Sequence, residues 1–413
     1  MEKKRLLILG GGFAGLDVAR SIGNSKQARA YWDTLLIDKE NFFQFNPLLP
    51  AVAVGAVETR HIVYPLRDMA RHRHIRFIKN KATKIDLERR EVLLHNDLVV
   101  PYDTLAVAVG SVTNYYEVPG AQEHTRPFKT IVDAMYFRAR VVELFEMAEQ
   151  ARADAPVTII EVGDRIIPAA RPSHSAYVQR FLVRRGVRLL LGSAATRIEP
   201  KRIHLKNGTT VDGFTIVWTA GVRPPDVVAQ LPLMRIKDGR VRVDDYLRAL
   251  DPAGKPVVNV FVPGDCAASL RQDGTYQPAL SQTAIAMGLH LGKQLVERAK
   301  GRSVPPFQFK PAGYIISLGK NSSVLELFGI PLSGRLAWLL WAAAYLIKMV
   351  GLRKQIEVGI DHLTHLLAEH DSSQILNRRQ ILSDEELNLS LGTGPHRRGE
   401  AVGSTAGKSQ DGV

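Results

Sequence analysis

Residues 6 to 20 read LLILGGGFAGLDVAR, and LLIDKE follows at 35 to 40. No other stretch constrains the fold as strongly. Leu6 to Leu9 form a short apolar run suited to a buried parallel strand, and Gly10, Gly12 and Gly15 give G-x-G-x-x-G directly after it. The first glycine permits a tight turn, the second lets backbone approach a pyrophosphate, and the third lets the new helix sit close to the sheet. That helix presents unpaired N–H groups and the positive end of its dipole to phosphate oxygens. Asp38 ends the next apolar strand, where a carboxylate can bind ribose hydroxyls. Strand, glycines, helix and acidic strand end in register predict a dinucleotide-binding α/β unit, whereas a lone glycine pattern would not. The pattern occurs once in the chain.

The 413 residues suffice for two or three domains with sizeable cores. A hydrophobic fraction of 45% and a charged fraction of 23% are those of a folded soluble or membrane-peripheral protein. The net charge of +14 suits either nucleic acid or an anionic membrane surface with anionic cofactors. No helix-turn-helix, zinc or RNA-recognition signature is present, so the second reading is preferred and no nucleic-acid partner is expected. The single cysteine, Cys266, excludes an intrachain disulfide and a dithiol centre, and fits a reducing compartment. It reads as a small buried residue rather than a redox group. The basic start and following apolar run imitate a secretion signal, but three consecutive glycines break the run and the segment fits the nucleotide fingerprint. No stretch reaches about 18 charge-free apolar residues, so no membrane span is expected.

Along the chain, strand–helix–strand units and a small meander occupy the first 120 residues, with a buried strand over 105–110 ending at Gly110. Residues 128–155 form a long amphipathic helix with Thr130 or Asp133 near its start. Strands follow at 157–161, 187–191 and 215–219, with a helix over 176–185. Asn207-Gly208 lies between 203–205 and 209–211, a hairpin signal. A buried strand then ends at Gly264-Asp265, and a helix spans 281–300. The last residues, 390–413, are rich in Gly, Ser and Arg and read as disordered.

The motifs LLILGGGFAGL, LLIDKENFFQFNPLL, YDTLAVAVGSVTNYY, VPGA, VTIIEVGDRIIP, TIVWTAGVRPP, NVFVPGDCAA and LSGRLAWLLW occur in this order. On them the chain resembles the type II NADH dehydrogenases, single-subunit NADH:quinone oxidoreductases of the FAD-dependent pyridine-nucleotide oxidoreductase superfamily, from residue 5 to about 370. The resemblance implies noncovalent FAD. Gly10, Gly12, Phe13, Ala14 and Gly15 would face the pyrophosphate, Asp38 with Lys39 the adenosine ribose, Ala108 and Gly110 the passing cofactor, and Gly264 and Asp265 the ribityl chain or flavin edge. A strand-end carboxylate such as Asp265 can hold hydroxyls and bias flavin electronics, although it could also be a simple turn former. Disulfide reductases and sulfide:quinone reductases need at least two cysteines, which one cysteine cannot supply. The implied fold class is α/β: a Rossmann-like FAD-binding domain (1–120 and 251–330) with an inserted, truncated second dinucleotide-binding-like domain (121–250), and a C-terminal membrane-anchor helix within 331–370.

The sequence departs from the family at its second nucleotide site. Family members carry a second G-x-G-x-x-G for NADH after the long helix, then a strand ending in E-x-G-x-R. Here ARADAPVTIIEVGDRIIP runs straight into Glu161, Gly163 and Arg165, and roughly 40 to 50 residues are missing by comparison with a βαβ unit and its connection. The family's glutamate near flavin and quinone, on that lost helix, has no counterpart. Glu161 could still hold the NADH ribose, but no helix N-terminus remains for the NADH pyrophosphate. Reduced NADH competence is therefore expected, unless a basic loop such as 165–171 substitutes. The family's A-Q-x-A-x-Q stretch falls on residues 281–286, keeping Gln282 and replacing the second glutamine with Ala286. Gln282 is the catalytic candidate, since its amide could bond a quinone carbonyl; a polar residue at a helix start is the plainer reading.

In the segment 335–355, Leu336, Leu339, Leu340, Ala343, Ile347 and Val350 share a face at helical spacing. Trp338, Trp341 and Tyr345 form an aromatic stripe suited to a membrane interface, and Arg335, Lys348, Arg353 and Lys354 suit anionic headgroups. This predicts a monotopic anchor rather than a span, placing the protein peripherally on the cytoplasmic face of the cell membrane. The function expected is a membrane-peripheral respiratory oxidoreductase passing electrons through FAD to a quinone. The other reading is a FAD-binding protein unable to use NADH, with a different donor or no activity. No metal is expected, and the oligomeric state, a homodimer included, stays open.

Overall fold

The computed structural model describes residues 2–152, 154–349 and 352–367. Its central sheet has eight strands: β1 (Lys4–Leu9), β2 (Trp32–Asp38), β3 (Arg76–Lys79), β4 (Thr104–Val107), β5 (Val241–Val243), β6 (Arg248–Leu250), β7 (Pro256–Phe261) and β8 (Ala267–Ser269), in the order β8-β5-β6-β7-β4-β1-β2-β3. From β7 to β3 the neighbours are parallel, with Leu9 opposite both Ile37 and Val107. Both faces of a parallel sheet are covered, so its strands are apolar throughout. Leu6–Leu9 and Thr104–Val107 are accordingly buried without alternation. The chain winds outward from β1 through β2 to β3, then returns to β4 on the other side. The topological switch point therefore lies between β1 and β4, where α/β sheets place their ligands.

Five helices matter below: α1 (Phe13–Asn24), α2 (Ile131–Ala151), α3 (Ser281–Ala299), α4 (Arg335–Lys348) and α5 (Leu352–Leu367). Two glycines set the spacing of α1 and α3. A Cβ on Gly288 would lie 2.5 Å from the Ala14 carbonyl oxygen, and one on Gly292 would lie 2.4 Å from Ser21 Oγ. Only hydrogen fits at these crossings. Helix α2 begins with a capping box in which Thr130 Oγ1 accepts from Asp133 N and the Asp133 carboxylate accepts from Thr130 N.

Among the described residues, no strand between 108 and 240 joins the central sheet. In that stretch Thr158–Ile160 pairs in parallel with Arg188–Leu190, and Arg126–Pro127 with Val217–Trp218. An antiparallel meander comprises Ala195–Glu199, Arg202–Leu205 and Thr210–Asp212, turning at Gly208 as the Asn207-Gly208 signal requires. Among the described residues nothing pairs with the second edge of Thr158–Ile160. The strand is half-buried throughout, and Val157 and Val162 beside it are exposed.

The C-terminal part corrects one expectation. Trp338 and Trp341 do not form a membrane-facing stripe: they are 4% and 6% exposed, and both rings pack on His362 of α5. Tyr345 is half-buried and meets Phe45 edge-on. Helical spacing places these aromatics on one face, but α5, the hairpin sheet over 313–334 and the first domain occupy that face. Leu336, Leu339, Leu340, Ala343 and Ile347 are exposed, as the apolar face requires, while Val350 lies outside the described residues. Helix α5 adds Leu352, Ile356, Ile360 and Leu363, all exposed on one face. Lys354 turns inward, donating to Arg60 O and Glu357. Among the described residues no helix is long and apolar enough to cross a membrane. Residues 390–413 lie outside the described residues.

Candidate functional site

The site begins where β1 stops. Gly10 turns the chain at φ +98°, and a Cβ there would sit 2.3 Å from the Ala108 carbonyl oxygen. The ends of β1 and β4 can approach this closely only through glycine. Gly12 caps α1 in extended conformation with no side-chain bond to the helix, and a Cβ there would meet nothing within 4 Å. A Cβ on Gly15 would lie 1.9 Å from Gly10 O. The three glycines thus divide their labour as the fingerprint implies: Gly10 and Gly15 serve packing, and Gly12 faces open space in front of a helix N-terminus.

Asp38 closes one side. Its carboxylate accepts from Gly11 N at 2.5 Å and from Glu40 N at 2.7 Å. Burial raises its pKa above the ordinary carboxylate range against the pull of those two donors. Each carboxylate oxygen has a second lone pair left for a hydroxyl. Lys39 is exposed on the rim. On the other side Ala108 N donates to Leu9 O, and Gly110 at φ +68° leaves open space. Gly264, at φ +88°, approaches Ala14, with 3.2 Å from an added Cβ to the Ala14 Cβ. Asp265 accepts from Ser111 Oγ at 2.9 Å, and Ser111 Oγ accepts from Lys129 Nζ at 2.8 Å. Burial lowers the Lys129 pKa, and the Asp265 charge opposes that shift. Ser111 and Lys129 were not legible in the sequence: Ser111 follows Gly110 in its motif, but nothing there ties it to Lys129 or Asp265, and only the fold joins the three.

Cys266 is fully buried, donates to Gly110 O at 2.7 Å, and has its thiol pKa pushed up by burial. It stays a thiol, the structural role expected of it.

Between α1 and α3 lies a cavity of about 520 Å³, walled by Phe13, Phe43, Ile285, Ala286, Leu289 and Phe309. Its polar groups are Gln282, Asp17, Arg20, Lys310 and Lys348. Gln282 Nε2 donates to Gly313 O at 3.1 Å, which fixes the amide at the first turn of α3. Thr283 Oγ1, next to it, is buried without a partner. Phe13 belongs to both regions, meeting Phe43 and Phe45 edge-on at 5.0 and 5.7 Å, so the cavity adjoins the glycine cradle.

These groups fit FAD. The helix N-terminus and open Gly12 suit a pyrophosphate, Asp38 and Asp265 suit hydroxyls, open Gly110 leaves room for the cofactor, and Thr283 offers an unused hydroxyl. Glu161 stands apart from this cluster, on the small sheet, accepting from Gly163 N at 2.8 Å. The basic loop after it is committed elsewhere: Arg165 donates to Pro168 O, and Arg171 pairs with Glu326 and donates to Gly329 O.

The profile described as pyridine nucleotide-disulphide oxidoreductase matches residues 4–288, which take in the cradle, Glu161 and Gln282. The chain belongs to that family. Among its curated relatives is a type II NADH:quinone oxidoreductase of Mycobacterium tuberculosis, 26% identical over 414 residues, covering 86% of each chain. Another is an internal alternative NAD(P)H-ubiquinone oxidoreductase of Arabidopsis thaliana mitochondria, 25% identical over 453 residues, covering 91% of this chain and 86% of the relative. The resemblance drawn from the motifs is thereby borne out. Among solved structures, that of NDH2 from Plasmodium falciparum in complex with NADH superposes with a TM-score of 0.80 at 16% identity, over 90% of this chain and all of the other. This last likeness supports the α/β fold. The family name refers to disulphides, but with one buried cysteine this member has no dithiol with which to reduce one.

Proposed function

We propose that the protein is a FAD-dependent NAD(P)H:quinone oxidoreductase that works at a membrane surface. One observation carries the reading: an apolar cavity with a single fixed amide, Gln282, adjoins the glycine cradle through Phe13. FAD, when bound, would accept electrons from a reduced nicotinamide and release them to a quinone. Gly10, Gly12, Phe13, Ala14 and Gly15 would hold its pyrophosphate. Asp38, flanked by Lys39, would hold its adenosine ribose. Ala108, Gly110, Gly264 and Asp265 would line its path between the sheet ends. Gln282 would donate to a quinone carbonyl. The quinone assignment draws on the activities named for the relatives, and the cavity's apolar walls match a ring with a lipid tail.

The arrangement favours weak NADH binding. Glu161 can take a ribose hydroxyl, but the chain offers no second glycine loop for the pyrophosphate, and Arg171 is already paired. Residues 1–120 and 251–330 would hold the flavin and residues 121–250 the nicotinamide. For the membrane, α4 and α5 each expose an apolar face, and Arg335 and Lys348 stand at the two ends of α4, which suits an interfacial seat on anionic lipid.

Anaerobic stopped-flow mixing of the FAD-loaded protein with NADH tests the donor half. Bleaching of the flavin with a half-saturating NADH concentration well above that of a complete relative is expected. No bleaching at millimolar NADH would overturn NADH as donor and leave a flavoprotein reduced by another route.

A further inference from the structure

The family reaction leaves a proton unaccounted for in this chain. Reduction of a quinone to a quinol takes up two electrons and two protons, and the residues that line the cavity differ sharply in what they can give. Gln282 can donate a hydrogen bond but not a proton. Arg20, Lys310 and Lys348 bring cationic hydrogen-bond donors to the same wall. Among the described residues, Asp17 is the one carboxyl in the cavity wall. It sits on α1, 8% exposed, in a position where burial would usually be punished.

We propose that the Asp17 carboxyl is the proton donor to the quinone oxygen that points away from Gln282. The inference rests on the quinone reading above. A quinone ring in the cavity would place one carbonyl toward the Gln282 amide, at the N-terminal turn of α3. Its opposite carbonyl would then lie along the groove toward the second turn of α1. The electron pair and one proton, together a hydride equivalent, come from the reduced flavin. The second proton leaves the Asp17 O–H bond as the new quinol O–H bond forms, and the carboxylate left behind is protonated again from water at the cavity mouth. The atoms and charges balance with no further reactant.

The surroundings of Asp17 tune it for this. Burial raises its pKa to about 6, the largest influence, and the charge of Arg20 and its hydrogen bond to that residue partly reverse the shift. The bond to Arg20 is long, 3.4 Å, so Arg20 steadies the carboxylate after transfer without holding it ionised beforehand. Lys310 and Lys348 face the same space from the segment before the hairpin and from the end of α4. Helix α3 contributes Gln282, Ile285, Ala286 and Leu289 to the wall, none of them ionisable. A general acid works best with a pKa near the operating pH, and such groups contribute about 10²–10⁴-fold in rate.

The test removes NADH from the question. FAD-loaded protein is reduced with dithionite under argon and mixed with a short-tailed, water-soluble quinone, and flavin reoxidation is followed from pH 5 to pH 8. In the native protein the rate should fall as pH rises above about 6. Asp17→Asn should reoxidise roughly a hundredfold more slowly with a flat pH profile. Its quinone affinity, read by quenching of flavin fluorescence, should stay within about threefold, and Asp17→Glu should restore the acid limb. As an independent readout, infrared difference spectra of the resting protein should contain a protonated-carboxyl band that titrates near pH 6 and is missing in Asp17→Asn. Reoxidation of Asp17→Asn at the native rate and with the native pH profile would overturn the proposal while leaving quinone reduction intact. A native reduced flavin that quinone does not reoxidise would overturn the functional reading and this proposal together.

Discussion

At the scale of single residues, the glycines of the cradle separate folding from binding. Gly12 has φ −72° and open space around its would-be Cβ, so Gly12→Ala should fold. The added methyl enters the space where backbone must approach the pyrophosphate. FAD content after purification should drop at least about tenfold, with the apoprotein melting within about a degree of the native apoprotein, since surface changes are usually worth under about 0.5 kcal/mol. Gly15→Ala should do the reverse: its Cβ would lie 1.9 Å from Gly10 O, so the α1 start must shift and the apoprotein itself should be destabilised by about 1–3 kcal/mol. Thermal melts with and without FAD read both. These glycines were legible in the sequence because their requirement is local and steric, written in spacing alone. Asp17, Ser111 and Lys129 were not, because each matters only for what the fold carries to it from distant positions.

At the scale of elements, α4 teaches the limit of periodicity. Spacing correctly puts Trp338, Trp341 and Tyr345 on one face and the leucines on another. It does not say which face meets the core, and the bulky aromatic face is the one the structure buries. The partner, α5, was missed because its exposed apolar residues alternate with charges. Two predictions belong here. Ile356→Glu with Ile360→Glu should reduce sedimentation with anionic vesicles by at least about tenfold while FAD content is unchanged, because apolar burial drives interfacial binding. Trp338→Ala should instead lower stability by about 3–5 kcal/mol, as expected for a buried tryptophan. A vesicle-binding defect without loss of stability in Trp338→Ala would contradict this assignment.

The packing of α5 on α4 should also depend on pH. His362 lies against the two tryptophans with both ring nitrogens buried and unpartnered, and burial lowers its pKa, with Asp361 opposing the shift. The native state therefore favours the neutral ring, while the unfolded chain protonates near its ordinary value of 6.5. Its contribution is complete above about pH 6.5 and is lost as pH falls toward the depressed native value. Circular-dichroism melts from pH 7.5 down to pH 5 should decline more steeply in the native protein than in His362→Phe. Identical slopes would count against a buried neutral ring.

At the scale of the whole molecule, the eight-stranded sheet carries the nucleotide cradle and a small two-stranded sheet leads into Glu161. The first was legible because β1, the glycines and Asp38 lie within 40 residues and impose their arrangement locally. The second could be located through Glu161, Gly163 and Arg165, but how the remaining strands close up depends on pairings that sequence does not encode. They close by bringing Thr158–Ile160 directly against Arg188–Leu190, with no further strand on the other edge among the described residues and the strands themselves half-buried. Open edges and thin burial lower local stability. Backbone amides of Thr158–Ile160 and Arg188–Leu190 should exchange with deuterium at least about a hundredfold faster than those of β1 and β4. Equal protection would mean that the small sheet is held by more than its described contacts.

The aromatic contacts lead to a practical consequence. From Phe13 at the nucleotide cradle, ring contacts run through Phe45 to Tyr345, then to Trp341 and Trp338. A helix that looks like a removable tether is a wall of the same room. Cutting the chain before Arg335 to obtain a handier form would strip Tyr345 from Phe45, and FAD content after purification should fall in that shortened chain.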